Sequence, residues 1–183
     1  MPTFSTCDLT DSTAVPGIPR KKKYFASSDS IVFGGYYRHV RNTHTATVTI
    51  YRPDNQIWMT WQDDDQFSNN FHNSKVVLTP AKLPANAMEG RWRYTVVFEG
   101  IVHTVYFFVS DCVPSRVLFG DLLGISFHRA SSFISSKQTL HGGGGTEAIY
   151  QAGQAVTLKP GFWARSNSKF LARVATCDDV PDD

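Results

Sequence analysis

Cysteine is scarce in this 183-residue chain: there are three, Cys7, Cys112 and Cys177, and no two lie at the spacing of a zinc knuckle, so nothing argues for a cysteine-held structural metal. No apolar run approaches the roughly 20 residues that a helix needs to cross a bilayer, and the chain reads as soluble. Charge of one sign is also lacking. Eighteen Lys and Arg against sixteen Asp and Glu leave a net +2, too near balance to mark a nucleic-acid binder. The start, Met1-Pro2-Thr3-Phe4-Ser5-Thr6-Cys7, has neither the basic end nor the apolar core of a secretory signal. No segment carries a convincing amphipathic-helix period, which leaves strands to build the core.

Strand patterns and turn formers are what the chain does have. Ala46, Val48 and Ile50 alternate with Thr45, Thr47, Thr49 and Tyr51, and Trp92, Tyr94, Val96 and Phe98 alternate with Arg91, Arg93, Thr95 and Val97. A period of two means strands with one buried and one wet face. Pro53-Asp54-Asn55 and Glu99-Gly100 sit between apolar runs and predict hairpins. Several short strands without helices predict an all-β chain, with an immunoglobulin-like antiparallel β-sandwich over residues 29–111. Residues 1–28, with Pro16, Gly17, Pro19 and the basic run Arg20-Lys21-Lys22-Lys23, read as a linker whose charges are solvated. The polar stretch 63–86 reads as a long loop, the part of such a fold that carries specificity.

The last third repeats itself. Ala130, Ser131, Ile134 and Ser136 stand in the same relative order as Ala152, Gly153, Val156 and Leu158, and a looser third copy places Ser166, Asn167, Phe170 and Ala172 there. A small pair followed by a short apolar strand predicts stacked strand-and-bend units over residues 112–177, with 178–183 as a tail. The repeated positions are small or apolar and offer no nucleophile, base or ligand. Cys112 and Cys177 bracket this repeat, and a bridge between them staples its ends in an oxidising compartment. Cys7 is then left over. Pairing of Cys7 with Cys112, or with a cysteine upstream of this sequence, stays open.

The blocks Arg129-Ala130-Ser131-Ser132-Phe133-Ile134-Ser135-Ser136, Tyr150-Gln151-Ala152-Gly153 and Leu158-Lys159-Pro160-Gly161-Phe162 carry a resemblance over residues 127–177. This region resembles the three-coathanger stack module that ends many secreted proteins of Bacteroidetes-type bacteria. It departs from that pattern at Ser166-Asn167-Ser168, where the family usually shows Gly-Ser. Residues 29–110 carry a second one, in Ile31-Val32-Phe33-Gly34-Gly35-Tyr36-Tyr37-Arg38-His39, Tyr51-Arg52-Pro53-Asp54-Asn55, Trp58-Met59-Thr60-Trp61 and Gly90-Arg91-Trp92-Arg93-Tyr94-Thr95-Val96. They are similar to the accessory β-sandwich that follows the catalytic domain of secreted lysostaphin-type zinc metallopeptidases. The resemblance implies a secreted or cell-surface location and an upstream catalytic domain in a longer chain.

Peptidases of that family hold zinc with a His-x-x-x-Asp and a His-x-His element, and neither occurs here. His39 and His44 are five apart, an odd offset that separates them on a strand. Asp63-Asp64-Asp65 reads as a solvated acidic loop, Gly142-Gly143-Gly144-Gly145 as a bend within the stack, and Ser126 as part of the repeat. No catalytic residue, metal ligand or cofactor is therefore nominated. The expectation is a noncatalytic accessory, targeting or spacer region of a cell-wall peptidase, or alternatively a free-standing carbohydrate-binding or adhesion module. The partner in either case is cell-wall glycan or polysaccharide, with no nucleic acid and no membrane span. Within the 63–86 stretch, Phe67, Phe71 and His72 among asparagines and serines form a candidate glycan contact. Trp58, Trp61, Trp92 and Trp163 are further flat faces. Trp92 falls on the buried side of its strand, while Trp58 and Trp61, three apart, should point opposite ways.

Overall fold

The computed structural model describes residues 3–7, for the backbone alone, and 22–37, 44–63, 75–143 and 145–179. The chain is all-β and divides into two compact units, residues 1–108 and 109–183.

The first unit is antiparallel. One sheet runs β1 (Thr3–Cys7), β3 (Ser30–Tyr37), β6 (Lys75–Lys82). The other runs β2 (Tyr24–Phe25), β8 (Ile101–Val109), β7 (Gly90–Phe98), β4 (Ala46–Tyr51), β5 (Ile57–Gln62). The alternations read from the sequence hold: Ala46, Val48, Ile50, Trp92, Tyr94, Val96 and Phe98 are all buried. Both hairpins form as well. Glu99 and Gly100 both take positive φ, 51° and 74°, which is the backbone twist a two-residue turn needs between right-twisted strands.

Aromatic rings join the two sheets. The Phe33 ring of β3 lies 5.1 Å from Tyr94, 5.9 Å from Phe107, 6.0 Å from Trp61 and 6.5 Å from Trp58. Trp58 meets Trp92 edge-on at 5.4 Å. So Trp58 and Trp61 face the same side, against the expectation from their odd offset. The register explains it: Tyr51 opposes Ile57 but Ile50 opposes Met59, so Trp58 is an extra residue at a bulge, and the strand re-aims there.

Two further expectations change. Within residues 1–28, read as linker, the structure holds β1 and β2. Tyr24 and Phe25 are buried against Phe108 and Phe107, at 5.5 and 5.8 Å, directly after the basic run. The 63–86 stretch, read as loop, contains all of β6. This strand pairs with β3 from Ser30–Lys82 to Tyr37–Lys75 and forms a sheet edge, where Pro80 and terminal lysines are tolerated and where they hide the strand pattern.

The second unit is a parallel stack. Its first ladder sets residues 125–130 of β11 (Ile125–Ser136) beside β13 (Glu147–Ala152) and then β16 (Lys169–Val174). The second ladder sets β9 (Val113–Leu118) beside residues 133–136 of β11 and then β14 (Ala155–Leu158). The third sets β10 (Asp121–Leu122) beside β12 (Thr139–Leu140) and β15 (Trp163–Ala164). Ala130 pairs with Ala152, Ile134 with Val156 and Ser136 with Leu158, which is the repeat read from the sequence. The third copy is misaligned in that reading. Phe170 pairs with Ala148, Ala172 with Tyr150, and Val174 takes the place beside Ala152.

Ala130, Ile134, Leu140, Ala148, Tyr150 and Ala152 form the interior of the stack, with Leu118, Leu122, Val156, Phe162 and Phe170 packed against it. The small residues at the bends have a mechanical reason. Gly153 N donates to Ala130 O and Gln154 N to Ser132 O, so successive bends touch backbone to backbone. A Cβ on Gly153 would stand 2.1 Å from Ser131 O, and one on Gly142 1.5 Å from Ser166 O. Gly153→Ala is therefore expected to destabilise the second unit by about 3 kcal/mol, since the obstructing atom is backbone and cannot rotate away. Urea unfolding of the variant checks this, and a loss below about 0.5 kcal/mol, the level of a neutral surface change, contradicts it.

Candidate functional site

Of the four tryptophans, three belong to the sandwich core or its rim and Trp163 alone is openly exposed, at 66%. Its position follows from the third ladder. Leu122 and Leu140 point into the stack, so their neighbours Asp121, Thr139 and Trp163, which pair side by side, stand on the outer surface. The bonds from His141 N to Leu122 O and from Arg165 N to Leu140 O carry the ladder one step further. That step brings His141 and Arg165 to the same side. His141 Nε2 lies 2.9 Å from Asp121 Oδ1.

The result is an outer strip on which the Trp163 indole stands beside the Thr139 hydroxyl and the Asp121–His141 pair. Behind Trp163, the bend 159–162 anchors the strip, with Phe162 N bonded to Lys159 O and the Phe162 ring 4.9 Å from that of Phe170. The interior of the stack is hydrogen-bonded as well as apolar. Tyr150 Oη donates to Gln138 Oε1 and lies 3.2 Å from Ser136 Oγ, all buried. Burial pushes the Tyr150 phenol above its ordinary pKa, and the Ser136 hydrogen bond offsets part of that shift. An exposed ring beside fixed hydrogen-bonding groups suits a ring-shaped, hydroxyl-rich ligand.

Asp121, Thr139, His141 and Arg165 did not emerge from the sequence. The available signal was the spacing of Asp121, Thr139 and Trp163, 18 and then 24 residues apart, which is uneven because the bends differ in length. Phe67, Phe71 and His72 lie outside the described residues, as does His39. Cys112 and Cys177 are brought together as a disulfide with Cα atoms 6.0 Å apart. Asp63 is not a solvated acid. It is buried, accepts from Tyr37 Oη at 3.1 Å and Trp61 Nε1 at 2.9 Å, and so is a structural acceptor at the end of β5. Burial first and the Asp63 charge second push the Tyr37 phenol well above its ordinary range. His44 pairs with Glu99 at 3.1 Å beside the hairpin turn.

No family profile matches the chain, and no curated protein does. Among solved structures, a crystal structure of the C-terminal domain of wzt is similar over 49% of this chain at 8% identity, with a TM-score of 0.34. The match spans 65% of that chain. A likeness this slight assigns no role.

Proposed function

We propose that this chain is a noncatalytic binding module that works outside the cell and holds a neutral glycan strand against the Trp163 strip. The observation that carries this is the exposed indole of Trp163 on the outer ladder, beside Thr139 and the Asp121–His141 pair. Trp92 is buried and the half-buried Trp58 and Trp61 are held by ring contacts with Phe33 and Trp92, which leaves Trp163 as the open indole. The Cys112–Cys177 disulfide supports an oxidising compartment. The wider setting is that of a targeting region accompanying a secreted cell-wall peptidase, on the resemblances in residues 29–110 and 127–177.

Trp163→Ala tests the reading. It is expected to weaken retention on insoluble cell-wall polysaccharide about tenfold, or about 1.4 kcal/mol. Thermal stability should stay nearly unchanged, since the side chain is exposed. Equal retention by parent and variant removes the strip as a binding site.

A further inference from the structure

The outer surface of the five-stranded sheet in the first unit is organised around two arginines. Arg91 and Arg93 stand two apart on the central strand β7, so their side chains share one face about 6.6 Å apart. Each is braced by a tyrosine. Arg91 lies over the Tyr106 ring at 4.5 Å, and Arg93 over that of Tyr51, its cross-strand partner, at 4.1 Å. Among the described residues neither guanidinium is paired with a carboxylate. The Arg93 guanidinium stacks on Tyr51 and its Nε is buried with no hydrogen-bond partner, so the two terminal nitrogens are the edge left to meet a ligand.

The surrounding rows are hydroxyl-rich and free of acid. Beside Arg93, Tyr51 and Ile57 comes a threonine row in which Thr95 opposes Thr49 and Thr49 opposes Thr60, with Thr49 and Thr60 hydroxyls 3.2 Å apart. The next row is Val97, Thr47 and Gln62. Two unpaired forks on a flat, uncharged, hydroxyl-bearing floor are complementary to planar carboxylates spaced along a polymer that is otherwise hydroxylated. A nucleic acid would call for a broad positive field, which a chain of net charge +2 does not supply.

We infer that this face binds an acidic polysaccharide, with Arg91 and Arg93 forking its carboxylates while Tyr51 and Tyr106 hold the guanidinium planes. The site is separate from the Trp163 strip and stands or falls apart from it.

Polygalacturonate is the probe, with its fully methyl-esterified form and inorganic polyphosphate as comparisons. The chain should bind polygalacturonate, lose that binding on esterification, and bind polyphosphate more weakly. The double change Arg91→Gln with Arg93→Gln should cut affinity at least about tenfold. Arg93→Lys, which keeps the charge and loses the fork, should weaken binding by about threefold. Trp163→Ala should leave it unchanged. On the unaltered chain, the guanidinium Cζ resonances of Arg91 and Arg93 should move on titration, a readout that does not depend on any variant folding. Equal binding by the double variant, equal binding of polyphosphate, unmoved arginine resonances, or loss of binding by Trp163→Ala each overturns the inference.

Discussion

Phe33→Ala is expected to cost the first unit about 4 kcal/mol, within the range of buried aromatic truncations. Phe33 is almost completely buried, and its ring bridges β3 to rings from three strands of the opposite sheet. Removing it leaves a void between Trp58, Trp61, Tyr94 and Phe107, and collapse into it is opposed by the bond of Trp61 to Asp63 and by Trp92, which packs on Trp58 and Phe107 and is bonded through Nε1 to Met88 O. Phe33→Leu should cost far less, about 1 to 2 kcal/mol, since it preserves most of the volume. Denaturant unfolding followed by tryptophan fluorescence measures both. An alanine variant that loses less than about 1 kcal/mol would contradict the sandwich core as described.

The legible parts of the sequence were those where burial alternates cleanly. Ala46 to Tyr51 and Trp92 to Phe98 each bury one side, so period two survives in the residue types, and the hairpin at Glu99-Gly100 is marked by its own turn chemistry. Illegible parts have a common cause: tertiary packing that overrides the local pattern. Residues 75–82 pair as an edge strand whose polar ends and proline resemble a loop. Trp58 changes face at a bulge that no periodicity announces. Asp63 sits beside two more aspartates yet is consumed by Tyr37 and Trp61, a partnership set by the sheet and not by its neighbours in the chain.

The same contrast runs through the stack. The first two copies are recognisable in the sequence because their paired positions, Ala130 with Ala152 and Ile134 with Val156, lie in or against the interior, where size is restricted. The last strand, Lys169–Val174, is an outer one, with Leu171 and Val174 exposed, so its residue types are less constrained and the third copy slid out of register. Trp163 was visible as a candidate among four tryptophans. Only the fold separates it from the other three, because it stands on an outward ladder position instead of between two sheets.

Opening the Cys112–Cys177 disulfide should destabilise the second unit by about 4 kcal/mol. The bridge spans 65 residues, and closing a loop of that length removes this much entropy from the unfolded chain. The folded side of the comparison is also organised around it. The Arg129 guanidinium donates to Ser110 O and to Cys177 O, holding both flanks of the bridge to β11. Gln151 donates to Asp179 O, and Arg173 donates to Gln151 Oε1 and Asp179 O, so the final turn is clasped to the ends of β13 and β16. None of these bonds uses a sulfur atom, so Cys112→Ser with Cys177→Ser should still fold while its unfolding midpoint falls. Amide exchange within 125–174 should quicken as global opening becomes easier. If the double variant unfolds at the parent midpoint, the bridge contributes nothing to the stack; a nonreduced digest linking Cys7 to Cys112 would replace the pairing altogether.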